Sequence, residues 1–195
     1  MRVTRVPYAV AGWGVGELWL GDGDIVVAHD APAPVVSTRV PLWVDPVSVA
    51  PTSVAPTSPR GASKPPSGTL ATRSARAAGD FVPDLVRRIH RFFAGEAVSF
   101  VDVELDLGWC TPFQRAVVTE LRAVPWGEVV SYGELAERAG YPRAGRAAGG
   151  VCAANTFFLL VPCHRVVASK GIGSYGDSGV DFKRRLLRLE GHAAL

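Results

Sequence analysis

The chain has 195 residues, 48% of them apolar and 20% charged, enough for one ordinary domain, or a small one beside a larger one, around a packed core. A net charge of +3 permits an anionic partner without requiring one. Three cysteines, Cys110, Cys152 and Cys163, fit no disulfide framework and no zinc ligand set; no signal-peptide run follows Arg2 and Arg5, and no apolar stretch is long enough to span a bilayer. The expectation is a reduced, intracellular compartment, no metal and no membrane.

Residues 1–44 read as β. Trp13 to Leu20 is rich in Trp, Val and Leu, Gly21-Asp22-Gly23 is turn chemistry, and Ile25-Val26-Val27 follows as the second arm of a hairpin. Val35 to Val44 could add a further strand. Over 45–79 the sequence Val-Ala-Pro-Thr-Ser repeats at 49 and 54, and Pro, Ser, Thr, Ala and Gly dominate, which predicts a flexible loop or linker. Asp80 is an N-cap for a helix with Leu85, Ile89 and Phe92 on one face, stopped by Gly95. Val101, Val103, Leu105 and Leu107 alternate with acids and predict a half-buried strand.

From there the pattern is helical. Thr111-Pro112-Phe113-Gln114 and Ser131-Tyr132-Gly133-Glu134 are capping boxes, the first with Pro at the opening helical position. A short helix from Tyr132 to Gly140 and a second over 143–154 make a helix-turn-helix, and a last helix over 180–190 is closed by Gly191. The boundaries so read are an N-terminal α/β domain over 1–107 and a second domain over 108–195. From 110 onward there are eleven Arg and Lys against seven Asp and Glu, so the basic excess sits in the second domain.

Chemistry concentrates at Pro162-Cys163-His164-Arg165, after the apolar run Phe157 to Val161. Thiolate is the nucleophilic form of cysteine, and neighbouring positive charge favours it. If the backbone there is extended, Cys163 and His164 point to opposite faces and need not touch. The 143–154 helix carries one long side chain, Arg146, among Ala144, Gly145, Ala147, Ala148, Gly149 and Gly150. Such a face either presses on a nucleic-acid groove and reads little sequence, or serves tight helix packing. Glu190 is an acid at the unfavourable end of a helix dipole, which hints at a role. Cys152 reads as a small packing residue, and Asn155 as a left-handed helix cap.

The order Ser131-Tyr132-Gly133-Glu134-Leu135-Ala136, Arg146-Ala147-Ala148-Gly149-Gly150, Asn155, Pro162-Cys163-His164-Arg165-Val166-Val167, then Gly171, Tyr175, Gly176, Lys183, Leu186-Leu187 and Glu190-Gly191-His192, closely resembles the O6-alkylguanine-DNA alkyltransferases, also called methylated-DNA–protein-cysteine methyltransferases. The match runs from about Thr111 to His192. The resemblance implies an α+β fold: a small β-sheet domain with one helix, then an all-helical, winged-helix-like domain holding the helix-turn-helix and the cysteine loop. It implies single-turnover transfer of an alkyl group from oxygen 6 of a flipped guanine (or oxygen 4 of thymine) in duplex DNA to Cys163, without cofactor, by a monomer in the cytoplasm, associated with the nucleoid, or in a eukaryotic nucleus. His164 becomes the base acting through water, Glu190 its orienting acid, and Tyr132 the donor to the flipped base. Arg146 becomes the wedge, with Ala144, Gly145, Ala147 and Gly149 on the DNA face. Val166, Tyr175, Gly176, Cys152 and Phe158 become the pocket wall, and Asn155 a hinge. Two departures stand out: Thr156 where the family has proline, and the bulk of Phe158, which predicts a narrowed pocket and poor reaction with benzyl-type substrates. The alternatives are a non-catalytic relative that only binds lesions and a helix-turn-helix regulator.

Overall fold

The computed structural model describes residues 3–33, 80–176 and 178–194. The expected strand over 35–44 and loop over 45–79 lie outside the described residues. The chain divides into two compact units, one of Met1–Arg91 with Val103–Trp109, the other of Phe92–Asp102 with Cys110–Leu195.

In the first unit β1 (Thr4–Val10), β2 (Gly14–Leu20) and β3 (Val26–Ala33) form an antiparallel meander in that order. The hairpin expected around residues 21–23 is present, closed by Gly21 N–H donating to Ile25 O at 2.8 Å. Tyr8 pairs with Gly16 in register, and a side chain at 16 would meet the Tyr8 ring at 2.5 Å. Glycine there lets Tyr8 lie flat across β2 to share a 2.6 Å hydrogen bond with buried His29. α1 (Phe81–Phe93) ends before Gly95, whose φ of 86° is the left-handed stop the sequence predicts.

The strand expected over 101–107 does not form. Leu105 makes a single parallel bridge to Val26, and the backbone at 101–103 turns. The Arg122 guanidinium takes the carbonyls of Phe100 (2.8 Å) and Val101 (3.1 Å), so Arg122 occupies acceptors a strand neighbour would need. Val101 is 60% exposed, so the alternation mixed two environments.

The second unit contains α2 (Pro112–Ala123), β4 (Val130–Ser131), α3 (Tyr132–Arg138), α4 (Gly145–Ala153), a 3₁₀ turn (Cys163–Arg165), β5 (Val166–Val167) and α5 (Gly179–Leu189). Both capping boxes are complete, Thr111 with Gln114 and Ser131 with Glu134. The unit is not all-helical: β4 and β5 pair in parallel, Val130 with Val166 and Ser131 with Val167. β-branched Val130, Val166 and Val167 suit this buried ladder, and it sets the start of α3 beside the chain leaving the cysteine turn. On α5, Lys183, Leu186 and Leu187, with Glu190 at its C-cap, recur at i, i+3, i+4 and i+7, and all four are buried.

Candidate active site

Cys163, His164 and Arg165 form one turn of 3₁₀ helix, with Arg165 N–H donating to Pro162 O at 2.9 Å. This corrects the extended backbone expected there. Residues 158–160 are turns as well, and Leu159 sits at φ 59°, a left-handed conformation costly for a side chain of that shape. Three residues per turn send successive side chains outward about 120° apart, so Cys163 and His164 still diverge, for a different reason.

His164 is fully buried and its Nε2 is 2.8 Å from Glu190 Oε1. Arg165 grips the same carboxylate from Nε (3.0 Å to Oε2) and from its terminal nitrogen (2.9 Å to Oε1), and donates to Val124 O at 2.7 Å. Gly127 N–H adds a fourth donor to Glu190 at 3.3 Å. Burial by itself would raise the Glu190 pKa; His164 and Arg165 outweigh it and hold it at about 2. Burial pulls His164 below its ordinary value, outweighing Glu190. Glu190 is therefore a carboxylate and His164 a neutral ring. A carboxylate only accepts, so the ring proton sits on Nε2 and the lone pair on Nδ1, which has no protein partner. A basic nitrogen is thereby held in one tautomer inside the core.

A cleft of about 40 Å³ opens on the other side of the turn, lined by Tyr132, Gly149, Cys152, Ala153, Cys163, Ser174, Tyr175 and Gly176. Five of these, Tyr132, Cys152, Cys163, Tyr175 and Gly176, were expected at the site. Val166 and Phe158 are not in the wall. Phe158 is 8% exposed and stacks on Phe93 (ring centroids 6.4 Å apart) and against Phe182 (5.8 Å). Phe182 in turn stacks on Tyr175, so Phe158 supports the pocket from behind and does not narrow it. Burial raises the Tyr132 pKa, keeping its hydroxyl protonated as a donor, and Ser174 lines the same cleft. Asn155 is not in the left-handed region: its Nδ2 donates to Val161 O (2.9 Å) and its Oδ1 accepts from Phe157 N–H (3.0 Å). It pins the end of α4 to the chain entering the cysteine turn.

α4 divides the small residues expected to face DNA. Gly145 and Gly149 face α3: a Cβ on Gly145 would meet the Gly133 backbone at 3.2 Å, and one on Gly149 the Tyr132 ring at 3.7 Å. Ala148 is buried and Ala144 half-buried, while Arg146, Ala147 and Gly150 are exposed. Close packing and an open face thus coexist on one helix. Among the described residues no group of three or more His, Cys, Asp and Glu side chains could hold a metal ion, and no helix is long and apolar enough to cross a membrane.

Residues 112–192 match the family model described as 6-O-methylguanine DNA methyltransferase, DNA binding domain. A methylated-DNA–protein-cysteine methyltransferase of Metallosphaera sedula is 42% identical over 107 residues, 55% of this chain and 66% of that one. One from Mycolicibacterium paratuberculosis is 43% identical over 126 residues, 64% of this chain and 72% of that one. The chain belongs to the methylated-DNA–protein-cysteine methyltransferase family. Similar solved structures include Mycobacterium tuberculosis OGT in complex with DNA (29% identity, TM-score 0.63, 95% of this chain and 91% of that one). The O6-methylguanine methyltransferase of the same organism aligns with TM-score 0.66 over 99% of this chain and 95% of that one, also at 29% identity. These likenesses support the mixed α/β architecture, which among the described residues has a small antiparallel sheet and five α-helices.

Within this methyltransferase two residues were missed as functional. Arg165 was read only as a charge near the thiol, yet it is the main clamp on Glu190. Lys183 is fully buried, with Nζ 2.5 Å from Val166 O, and lies close enough to Cys152 and Cys163 for its charge to act on both thiols. Burial lowers its pKa to about 8. Its spacing from Leu186 and Leu187 was the available signal: a lysine on the apolar stripe of a helix has to be buried for a reason.

Proposed function

We propose that this chain is a direct-reversal DNA-repair methyltransferase that carries an alkyl group from oxygen 6 of guanine in duplex DNA to Cys163 Sγ, once per molecule. The observation that carries the reading is the Cys163 thiol in a small cleft, one residue from a buried imidazole whose tautomer Glu190 dictates. The Cys163 proton passes through a water to His164 Nδ1, and the imidazolium is stabilised by Glu190. Sulfur attacks the alkyl carbon in line, the carbon–oxygen bond breaks, and its electron pair goes to the guanine. Tyr132, kept protonated, donates to the leaving base as that charge develops. The resulting thioether has no good leaving group, so the protein is consumed.

The base must leave the stack, at a cost of a few kcal/mol. Arg146, on the exposed face of α4, fills the vacated space, with Ala147 against the groove. The α3–α4 pair with the β4–β5 ladder is read as a winged-helix-like DNA-binding module, acting as a monomer. Gly145 and Gly149 contribute by letting α4 approach α3, not by touching DNA.

The test is intact mass after incubation with duplex DNA carrying O6-methylguanine. The expected result is one methyl replacing one hydrogen, mapped to Cys163 and absent in Cys163→Ala. Lesion binding with unchanged mass would replace this reading with a non-catalytic lesion binder. Binding to undamaged DNA of one particular sequence would point to a regulator.

A further inference from the structure

The cleft holds a second thiol. Cys152 lies in the last turn of α4 and lines the same 40 Å³ space as Cys163, so the two side chains face one cleft and lie close enough for each to act on the other. Their approach is built in. Cys152 O accepts from Asn155 N–H (3.3 Å), the Asn155 amide binds Val161 O, and Cys163 N–H returns to Val161 O at 2.8 Å. Cys152 is the less buried of the two. We propose that Cys152 and Cys163 form a peroxide-reactive dithiol that closes to an intramolecular disulfide. The chemistry rests on the two thiols alone; its effect on repair rests on the alkyl-transfer reading.

The neighbouring thiol draws the Cys152 pKa down and, with burial, pushes that of Cys163 up. Lys183 further favours the anion on both. Cys152, the more accessible thiol, is the one the oxidant reaches, and it reacts in its ionised form. Cys152 sulfur attacks a peroxide oxygen, the oxygen–oxygen bond breaks, and the departing hydroxide takes the Cys163 proton to become water. Cys152 is then a sulfenic acid. The Cys163 thiolate attacks the Cys152 sulfur, the sulfur–sulfur bond forms, and the sulfur–oxygen bond breaks. The second hydroxide takes up a proton as water. Two thiols lose two electrons and two protons, and one peroxide becomes two waters. The alkyl acceptor is masked while the bond lasts and returns on thiol reduction. It is also shielded from the irreversible sulfinic and sulfonic stages.

The full chain is treated with hydrogen peroxide and analysed by intact mass and non-reducing peptide mapping, with alkyl transfer measured before and after dithiothreitol. The expected result is loss of two hydrogens, a Cys152–Cys163 cross-link, loss of transfer in step with the cross-linked fraction, and recovery on reduction. Cys110→Ser closes the same bond; Cys152→Ser gains oxygen on Cys163 and does not recover. A cross-link through Cys110, or Cys163 sulfinic acid accumulating in the unaltered chain, overturns the proposal. If untreated protein transfers no alkyl group yet cross-links as described, the repair reading falls and the dithiol stands.

Discussion

The molecule buries two histidines, and they do different things. His29, in the first unit, shares its hydrogen bond with the Tyr8 hydroxyl, which burial keeps protonated. The hydroxyl carries no charge to set against the ring, and the pair sits within the three-stranded sheet. His164, in the second unit, meets a carboxylate that two guanidinium contacts and a backbone amide keep charged. A ring beside a neutral hydroxyl satisfies a hydrogen bond; a neutral ring beside a fixed charge can accept a proton and have the product stabilised. The difference lies in the partner, not in the depth of burial.

Glu190→Gln should separate the two most widely. It leaves Arg165 buried beside an uncharged amide, at a cost of about 3–5 kcal/mol in urea unfolding. It should also slow alkyl transfer by about 10²-fold or more. An unchanged unfolding midpoint would mean Glu190 is not the anchor of the site. His164→Gln should slow transfer by about 10²–10⁴-fold and remove the rate's dependence on imidazole ionisation, while His29→Gln leaves transfer by the folded protein intact. Equal effects from the two substitutions would erase the distinction drawn here.

Acid provides a graded version. Glu190 has its pKa near 2 in the folded protein, below the ordinary 4.5, so the unfolded chain binds that proton first. Its contribution of roughly 3 kcal/mol is present above about pH 4.5 and lost as pH falls through about 2. His164 is held below its ordinary 6.5, so the unfolded chain also protonates first there, and stability drains as pH drops below that value. Unfolding midpoints measured across this range should decline in two stages, and Glu190→Gln should remove the lower one.

Tyr8→Phe comes next, at about 1–3 kcal/mol for the lost buried partner of His29, with the transfer rate of the folded protein unchanged. Arg146→Ala should be smallest in stability, within about 0.5 kcal/mol, because the side chain is exposed. It should slow repair of duplex DNA yet leave transfer from free O6-benzylguanine untouched; equal slowing of both would place Arg146 in the chemistry instead of the DNA contact.

What could be read beforehand was local. Thr111 with Gln114 and Ser131 with Glu134 announce their helices because a capping box is written within four residues. The tetrapeptide around Cys163 pointed to a thiolate, and its order relative to Tyr132, Arg146 and Glu190 pointed to the family. What failed depended on distant partners. Extended backbone at Cys163 and His164 is not what forms: Asn155 and Cys163 claim the carbonyl of Val161, and the chain turns. Phe158 seemed a pocket wall until Phe93 and Phe182 were seen to hold it. Cys152 looked inert because its partner, Cys163, is a neighbour only after folding.

Glu190 has one more consequence, and it concerns time. Its partners lie 26 residues earlier at His164 and 63 residues earlier at Gly127. A ribosome that has already made the thiol, the imidazole, α3 and α4 has not yet made the acid that faces the imidazole. Contacts of such long sequence separation form late and slowly. During synthesis the nucleophile therefore exists for a while as an ordinary cysteine, and the chain acquires its reactivity only when the turn after α5 docks.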